Sequence, residues 1–255
     1  MAKILRIENL QYKEILKDVN LELEEKTFNI LIGKNSSGKT TLVNCINQSL
    51  NYSGNILFNN QVIKEQPKQI GYFTDNDHLF ETIIIEELLS FLRNLNYIEE
   101  AAKKRIYTLS HKLGFVNLLY KEYNQLSVSE RTLVSFLFSV IHEPKVLIID
   151  NDLETLDEVY KTKIFNYIKS QKKLTTLFIT TNSNYFYLAD EIFFISGGKI
   201  SLKTDFNNIN EKEKMLLKCG SNLPFEIELS NKLISYELLE SIQLDIEEMV
   251  DLIWK

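Results

Sequence analysis

Eight consecutive residues carry the clearest chemistry in this chain. Gly33-Lys34-Asn35-Ser36-Ser37-Gly38-Lys39-Thr40 fits the pattern G-x-x-x-x-G-K-[ST], in which backbone N–H groups and the start of a helix make a cradle for anionic oxygens. In that cradle Lys39 would reach the β- and γ-phosphates of a nucleotide, and the Thr40 hydroxyl would ligate Mg²⁺. Gly33, Asn35, Ser36, Ser37, Gly38 and Thr41 complete the set expected to line the phosphates. Chance would give such a match in roughly 1% of chains this long at average composition. The loop also has the context the motif requires. Phe28-Asn29-Ile30-Leu31-Ile32 is an apolar run of strand length, and Thr40 to Leu50 reads as a helix.

An acidic residue follows a second apolar run, Val146-Leu147-Ile148-Ile149 ending at Asp150. Leu174 to Thr180 is another apolar run, with helical patterns around residues 157–171 and 185–190. Buried strands alternating with helices imply a mostly parallel sheet covered by helices. Residues 3–10 and 15–24 read as strands with partial alternation. Residues 81–120 break the pattern, with Ile84, Leu88, Phe91, Leu92 and Leu95 at helical spacing. They read as helical throughout, an insertion into the α/β unit. Beyond Gly197-Gly198-Lys199-Ile200 a polar segment, residues 203–214, leads into a short helical tail ending at Trp254.

Bulk properties bound the partners. At 255 residues the chain suits one large domain, or one with a small appendage. The net charge of −6 argues against a non-specific nucleic-acid binder, which would carry a basic face. Cys45 and Cys219 fit neither a disulfide framework nor a metal pattern, and suit a reducing compartment. No stretch approaches the roughly eighteen consecutive apolar residues of a membrane span. Met1 to Arg6 begins a strand and lacks a signal-peptide layout.

The order of further motifs is similar to that of the ABC ATPases. Leu126-Ser127-Val128-Ser129-Glu130-Arg131 resembles the L-S-G-G-Q/E signature, and Asp150 stands at the Walker B aspartate, which the resemblance implies shares Mg²⁺ with Thr40. Glu154-Thr155-Leu156-Asp157 resembles the D-loop, and Ile70-Gly71-Tyr72-Phe73 the approach to the Q-loop. Tyr12 sits where an aromatic stacks on adenine, and Leu188-Ala189-Asp190 with Gly197-Gly198 resembles the closing elements. The resemblance implies a RecA-like P-loop fold with antiparallel N-terminal strands, an ATPase domain over 1–202 and a helical subdomain at about 78–130. A C-terminal helical extension over 203–255 would follow. Within it Leu223-Pro224-Phe225-Glu226-Ile227-Glu228-Leu229-Ser230 and Ile246-Glu247-Glu248-Met249-Val250 resemble the tail of energy-coupling-factor transporter ATPases, prokaryotic uptake systems for vitamins and transition metals. Asp75-Asn76-Asp77-His78-Leu79-Phe80 is similar to that group's segment after the Q-loop. ATP and Mg²⁺ are the implied cofactors. A second ATPase subunit and a transmembrane subunit are the implied partners, on the cytoplasmic face of a membrane.

The departures from the family fall on its catalytic positions. Asn151 replaces the glutamate that polarises the attacking water, and base assistance of that kind contributes about 10²–10⁴-fold. Thr181 aligns with the switch histidine and Asp75 with the Q-loop glutamine; an aspartate could still reach Mg²⁺. Val128 and Ser129 replace the signature glycines, which restricts the backbone's approach to a facing γ-phosphate. Ser127 and Glu130 are kept, both as an S-x-x-E capping box and as candidate phosphate contacts. Ser36 stands where the family prefers glycine. Slow or absent turnover follows, with a heterodimer favoured so that an intact partner faces this signature; a non-hydrolysing nucleotide sensor or scaffold is the alternative. His78, His111 and His142, without metal-like spacing, read as surface or packing residues. Glu86, Glu87 and the tail acids Asp245, Glu247, Glu248 and Asp251 read as solvated helix faces, and Trp254 as an anchor of the tail.

Overall fold

The computed structural model describes residues 2–64, 68–74, 82–151 and 153–254. Its centre is a six-stranded sheet in the order β10-β9-β3-β8-β7-β6. The strands are β3 (Phe28–Ile32), β6 (Ile70–Thr74), β7 (Val146–Asp150), β8 (Thr175–Thr180), β9 (Glu191–Ser196) and β10 (Lys199–Thr204). Five run parallel and β10 pairs antiparallel at one edge.

The apolar runs are continuous because both faces of this sheet are covered. Ile30, Ile32, Leu147, Ile149, Phe178, Ile192 and Phe194 enter one core. Their neighbours Leu31, Val146, Ile148, Leu177, Ile179, Phe193 and Ile195 enter the other. Alternate side chains point to opposite faces, so a strand with two cores shows no alternation. The second core is closed by helix α1 (Lys39–Ile46) and by an antiparallel sheet ordered β2-β1-β4-β5. That sheet comprises β1 (Lys3–Tyr12), β2 (Leu16–Glu24), β4 (Ser53–Phe58) and β5 (Gln61–Val62).

The first core is covered by α2 (Ile84–Asn94), α3 (Glu99–Leu113), α4 (Val128–Val140) and α5 (Glu158–Ser170). The region expected to be helical throughout is two helices with a break at Leu95–Ile98 and a second end at Gly114, whose φ of 80° terminates α3. The helix after the phosphate loop stops at Ile46, short of Leu50; Gln48 turns left-handed at φ 59°. The expected helix at 185–190 is a 3₁₀ segment, Ser183–Leu188.

After β10 come α6 (Glu213–Lys218), α7 (Phe225–Ser235) and α8 (Ile246–Ile253). Ile209, Leu216, Cys219, Leu223 and Ile227 join the same core as Phe178 and Phe186. The tail's anchor is therefore this group and not Trp254, which is 84% exposed. Asp245 is not merely a solvated acid, because it caps α8 by accepting from the N–H groups of Glu247 and Glu248.

Candidate nucleotide site

The phosphate loop leaves β3 at the carboxyl edge of the parallel sheet, where the crevices of open α/β sheets bind ligands. Gly33 has no room for a side chain, since a Cβ there would lie 2.5 Å from the Ile195 carbonyl oxygen and 2.6 Å from Ser37 Oγ. Ser37 N–H donates to the Lys34 carbonyl at 3.1 Å, folding the loop back on itself. Ser36 holds φ at 64°, the left-handed region. That conformation is why a glycine is preferred there, and a serine accommodates it only with strain. Gly38, at φ 103°, precedes α1 and brings its N-terminal amides to the loop.

Lys39 folds back over the loop, its Nζ donating to the carbonyls of Gly33 at 2.6 Å and Lys34 at 2.7 Å. Burial pushes its ammonium below the ordinary lysine range, an effect that Asp150 opposes. Asp150 shows the converse. Burial raises its carboxyl above the usual range, opposed by a hydrogen bond from Thr40 and by the charge of Lys39. Thr40 and Asp150, far apart in sequence, are thus joined, and a hydroxyl beside a carboxylate is a set of hard oxygen donors suited to Mg²⁺. Among the described residues no group of three or more His, Cys, Asp or Glu could hold a metal by itself. A magnesium ion at Thr40 and Asp150 would therefore take its remaining ligands from phosphate and water.

A cleft of about 360 Å³ opens beside Asp150, lined by Asn35, Lys39, Asp150, Asn151, Thr181 and others. Asn151 is 8% exposed at its wall. Both degenerate positions therefore share a cleft with the phosphate-loop lysine. Asp75, expected to reach the metal, lies outside the described residues, as do residues 76–80.

Ser127 and Ser129 stand elsewhere. Ser127 Oγ accepts from the Glu130 N–H at 3.3 Å while Glu130 Oε2 accepts from the Ser127 N–H at 2.9 Å, completing the capping box of α4. Lys121 also pairs with Glu130 at 2.6 Å. Ser129 Oγ donates to the Thr155 carbonyl at 2.6 Å. Neither serine lines the cleft beside Lys39. Tyr12 packs against the antiparallel sheet with Lys13 Nζ 5.1 Å from its ring centre, and it too is absent from the cleft wall.

Glu154, Asn182 and Tyr185, which sequence reasoning did not single out as site residues, also line the cleft. Glu154 accepts from Asn182 Nδ2 at 3.2 Å and from Lys161 Nζ at 3.3 Å. Its place in Glu154-Thr155-Leu156-Asp157 was a usable signal, because that segment begins four residues after Asp150. Asn182 follows Thr181, another usable signal. Tyr185 sits in a 3₁₀ segment with no local motif to mark it.

A strand–loop–helix cradle with a lysine, followed by a hydroxyl–carboxylate pair at the carboxyl edge of a parallel sheet, defines a P-loop nucleotide-binding protein. Its family follows from sequence comparison: the ABC transporter family model matches residues 16–153, more than half the chain. The chain belongs to the ABC transporter family, and it resembles that family's ATP-binding subunits. Energy-coupling factor transporter ATP-binding protein EcfA of Onion yellows phytoplasma (strain OY-M) is 25% identical over 266 residues, covering 99% of this chain and 98% of that protein. The putative hemin import ATP-binding protein HrtA of Staphylococcus aureus (strain bovine RF122 / ET3-1) is 28% identical, covering 76% and 94%. Among solved structures, cbiO1 from Clostridium perfringens aligns with a TM-score of 0.73 at 23% identity, over 93% of this chain and 99% of that one. That likeness establishes the shared fold. Among the described residues no helix is long and apolar enough to cross a membrane.

Proposed function

We propose that this chain is the ATP-binding subunit of an energy-coupling-factor type importer for a vitamin or transition metal, binding MgATP at a subunit interface and hydrolysing it slowly or not at all. The observation that carries this reading is that Lys39 and Asp150, with Thr40 bonded to Asp150, meet Asn151 and Thr181 at one cleft. The first three can hold a triphosphate and its metal. The last two occupy the positions of the base and the switch residue but carry an amide and a hydroxyl. A neutral amide does not accept a water proton at neutral pH, so the site lacks general-base assistance from that position.

Lys39 would exchange its two carbonyl partners for phosphate oxygens, and the loop amides would bind the remaining anionic oxygens. Mg²⁺ held by Thr40 and Asp150 would supply charge neutralisation of the phosphates. Tyr12 would carry the adenine. Placement of Ser127 and Ser129 outside the Lys39 cleft supports a two-subunit arrangement, in which each signature serves the other subunit's phosphates. The preferred partner is an intact ATPase subunit, giving a heterodimer that drives a transmembrane subunit docked near residues 75–80 and the helical insertion at about 78–130. Residues 1–202 form the ATPase domain in this reading and 203–255 its extension, on the cytoplasmic face of the membrane.

The test is equilibrium MgATP binding and steady-state hydrolysis by the full chain, with Lys39→Ala as control. Binding abolished by the control, with turnover far below about 1 s⁻¹, the low end of ordinary enzymes, supports the reading. Brisk hydrolysis that depends on Lys39 would overturn the degenerate assignment.

A further inference from the structure

The segment ending α6 reaches the nucleotide site from 180 residues away in sequence. Helix α6 closes with a Schellman motif: Gly220 N–H donates to the Leu217 carbonyl at 3.1 Å and Ser221 N–H to the Leu216 carbonyl at 3.0 Å. Gly220 takes the left-handed conformation this motif requires, at φ 79°. The turn aims Ser221 at the switch position. Its Oγ donates to the Thr181 carbonyl at 2.9 Å, and Ser221 is only 7% exposed. Thr181 is the first residue beyond β8, so its carbonyl has left the sheet ladder and Ser221 supplies its partner.

The same segment touches the phosphate loop. A Cβ on Gly220 would lie 3.1 Å from Lys34 Cγ. Cys219, 1% exposed, is near enough to Lys34 and Lys39 for both charges to act on its sulfur. Lys218 joins Lys34, Ser36 and Ser37 around a second cleft of about 340 Å³ on the other flank of the loop. Leu216, Cys219 and Leu223 join the main core, which anchors the segment beside the sheet.

We propose that Ser221 is a positioning residue of the nucleotide site, through which the C-terminal extension holds the Thr181 loop and distinguishes a nucleotide with a γ-phosphate from one without. This rests on the reading that the loop binds nucleotide and that Thr181 occupies the switch position. Removing the hydroxyl takes away the protein partner of the Thr181 carbonyl. The loop shifts to find another partner, and only a ligand reaching that loop senses the change. Coupling between two sites is reciprocal in free energy, so γ-phosphate binding also steadies the residue 219–223 segment.

Equilibrium binding of MgATP and MgADP to the full chain tests this with Ser221→Ala, Ser221→Thr and Lys39→Ala. Ser221→Ala weakens MgATP by about 2- to 10-fold, the worth of one hydrogen bond, leaves MgADP unchanged, and is rescued by Ser221→Thr. Equal loss of both nucleotides, or loss of neither, overturns the inference while leaving the nucleotide site intact. A wild-type chain that binds neither nucleotide, or a Lys39→Ala variant that binds both as tightly as wild type, overturns the functional reading instead. Should Ser221→Ala not fold, hydrogen exchange on the wild type decides: amides at 219–223 slow more with MgATP than with MgADP. Equal slowing with both rejects the coupling.

Discussion

Asn151 and Thr181 share a wall with Lys39, so in the proposed reading restoring one catalytic group leaves the other missing. Asn151→Glu returns a carboxylate that can take a proton, and alone it is expected to raise turnover by less than about 10-fold, well short of the 10²–10⁴ that a positioned base contributes. Adding Thr181→His restores the group that orients water against the γ-phosphate, and the double variant should exceed the product of the single effects. Steady-state phosphate release from the four proteins measures this. Full recovery by Asn151→Glu alone would show that Thr181 is an adequate substitute. Ser36 allows a separate test that does not involve turnover. A non-glycine residue in the left-handed region costs about 1–2 kcal/mol, and glycine returns about 0.5–1 kcal/mol as unfolded-chain entropy. Ser36→Gly should therefore stabilise the protein by roughly 0.5 kcal/mol, read from the denaturant midpoint. A destabilised Ser36→Gly would mean that its side chain makes a contact outweighing the strain.

Among the elements, α4 joins two roles, because the signature segment is also its N-terminus. Its buried face, with Leu133, Val134, Phe136, Leu137 and Val140, packs onto β6 and the first core, so fraying at Ser127 is felt in the interior. Ser127→Ala removes one capping bond and should cost about 1 kcal/mol in equilibrium unfolding. An unchanged midpoint would assign the serine to ligand contact alone. The capping box was legible because its four-residue spacing is local, and the buried strands were legible because two cores leave them uniformly apolar. Less of the remainder was legible. The apolar spacing of 81–120 continues across Leu95–Ile98, and only Asn96, left-handed at φ 67°, marks the break locally. The bonds joining Thr40 to Asp150 and Ser221 to Thr181 span 110 and 40 residues. The first could be anticipated from the motif order that the family shares. The second belongs to no motif, and composition or periodicity carries no trace of it.

For the whole molecule, the signature-like segment does not line the Lys39 cleft of its own chain, and the proposed pairing of two subunits would divide the labour between them. If each signature completes the other subunit's phosphate site, the defects of Asn151 and Thr181 lower turnover at this chain's own loop. The defects of Val128 and Ser129 act instead at the partner's loop. Val128 is 67% exposed, a β-branched side chain standing where close approach to a facing phosphate needs bare backbone. Ser129 is turned inward, holding the Thr155 carbonyl of the segment that follows Asn151. In a heterodimer with an intact ATPase subunit, Val128→Gly with Ser129→Gly in this chain should therefore speed hydrolysis at the partner's site, while Asn151→Glu should not. Inactivating the partner's own phosphate-loop lysine separates the two sites. That change should abolish the gain from the glycines and leave any gain from Asn151→Glu untouched. The heterodimer assignment fails if the glycine variants raise turnover in this chain alone as much as in the mixed complex, because a homodimer would then be sufficient to present the signature.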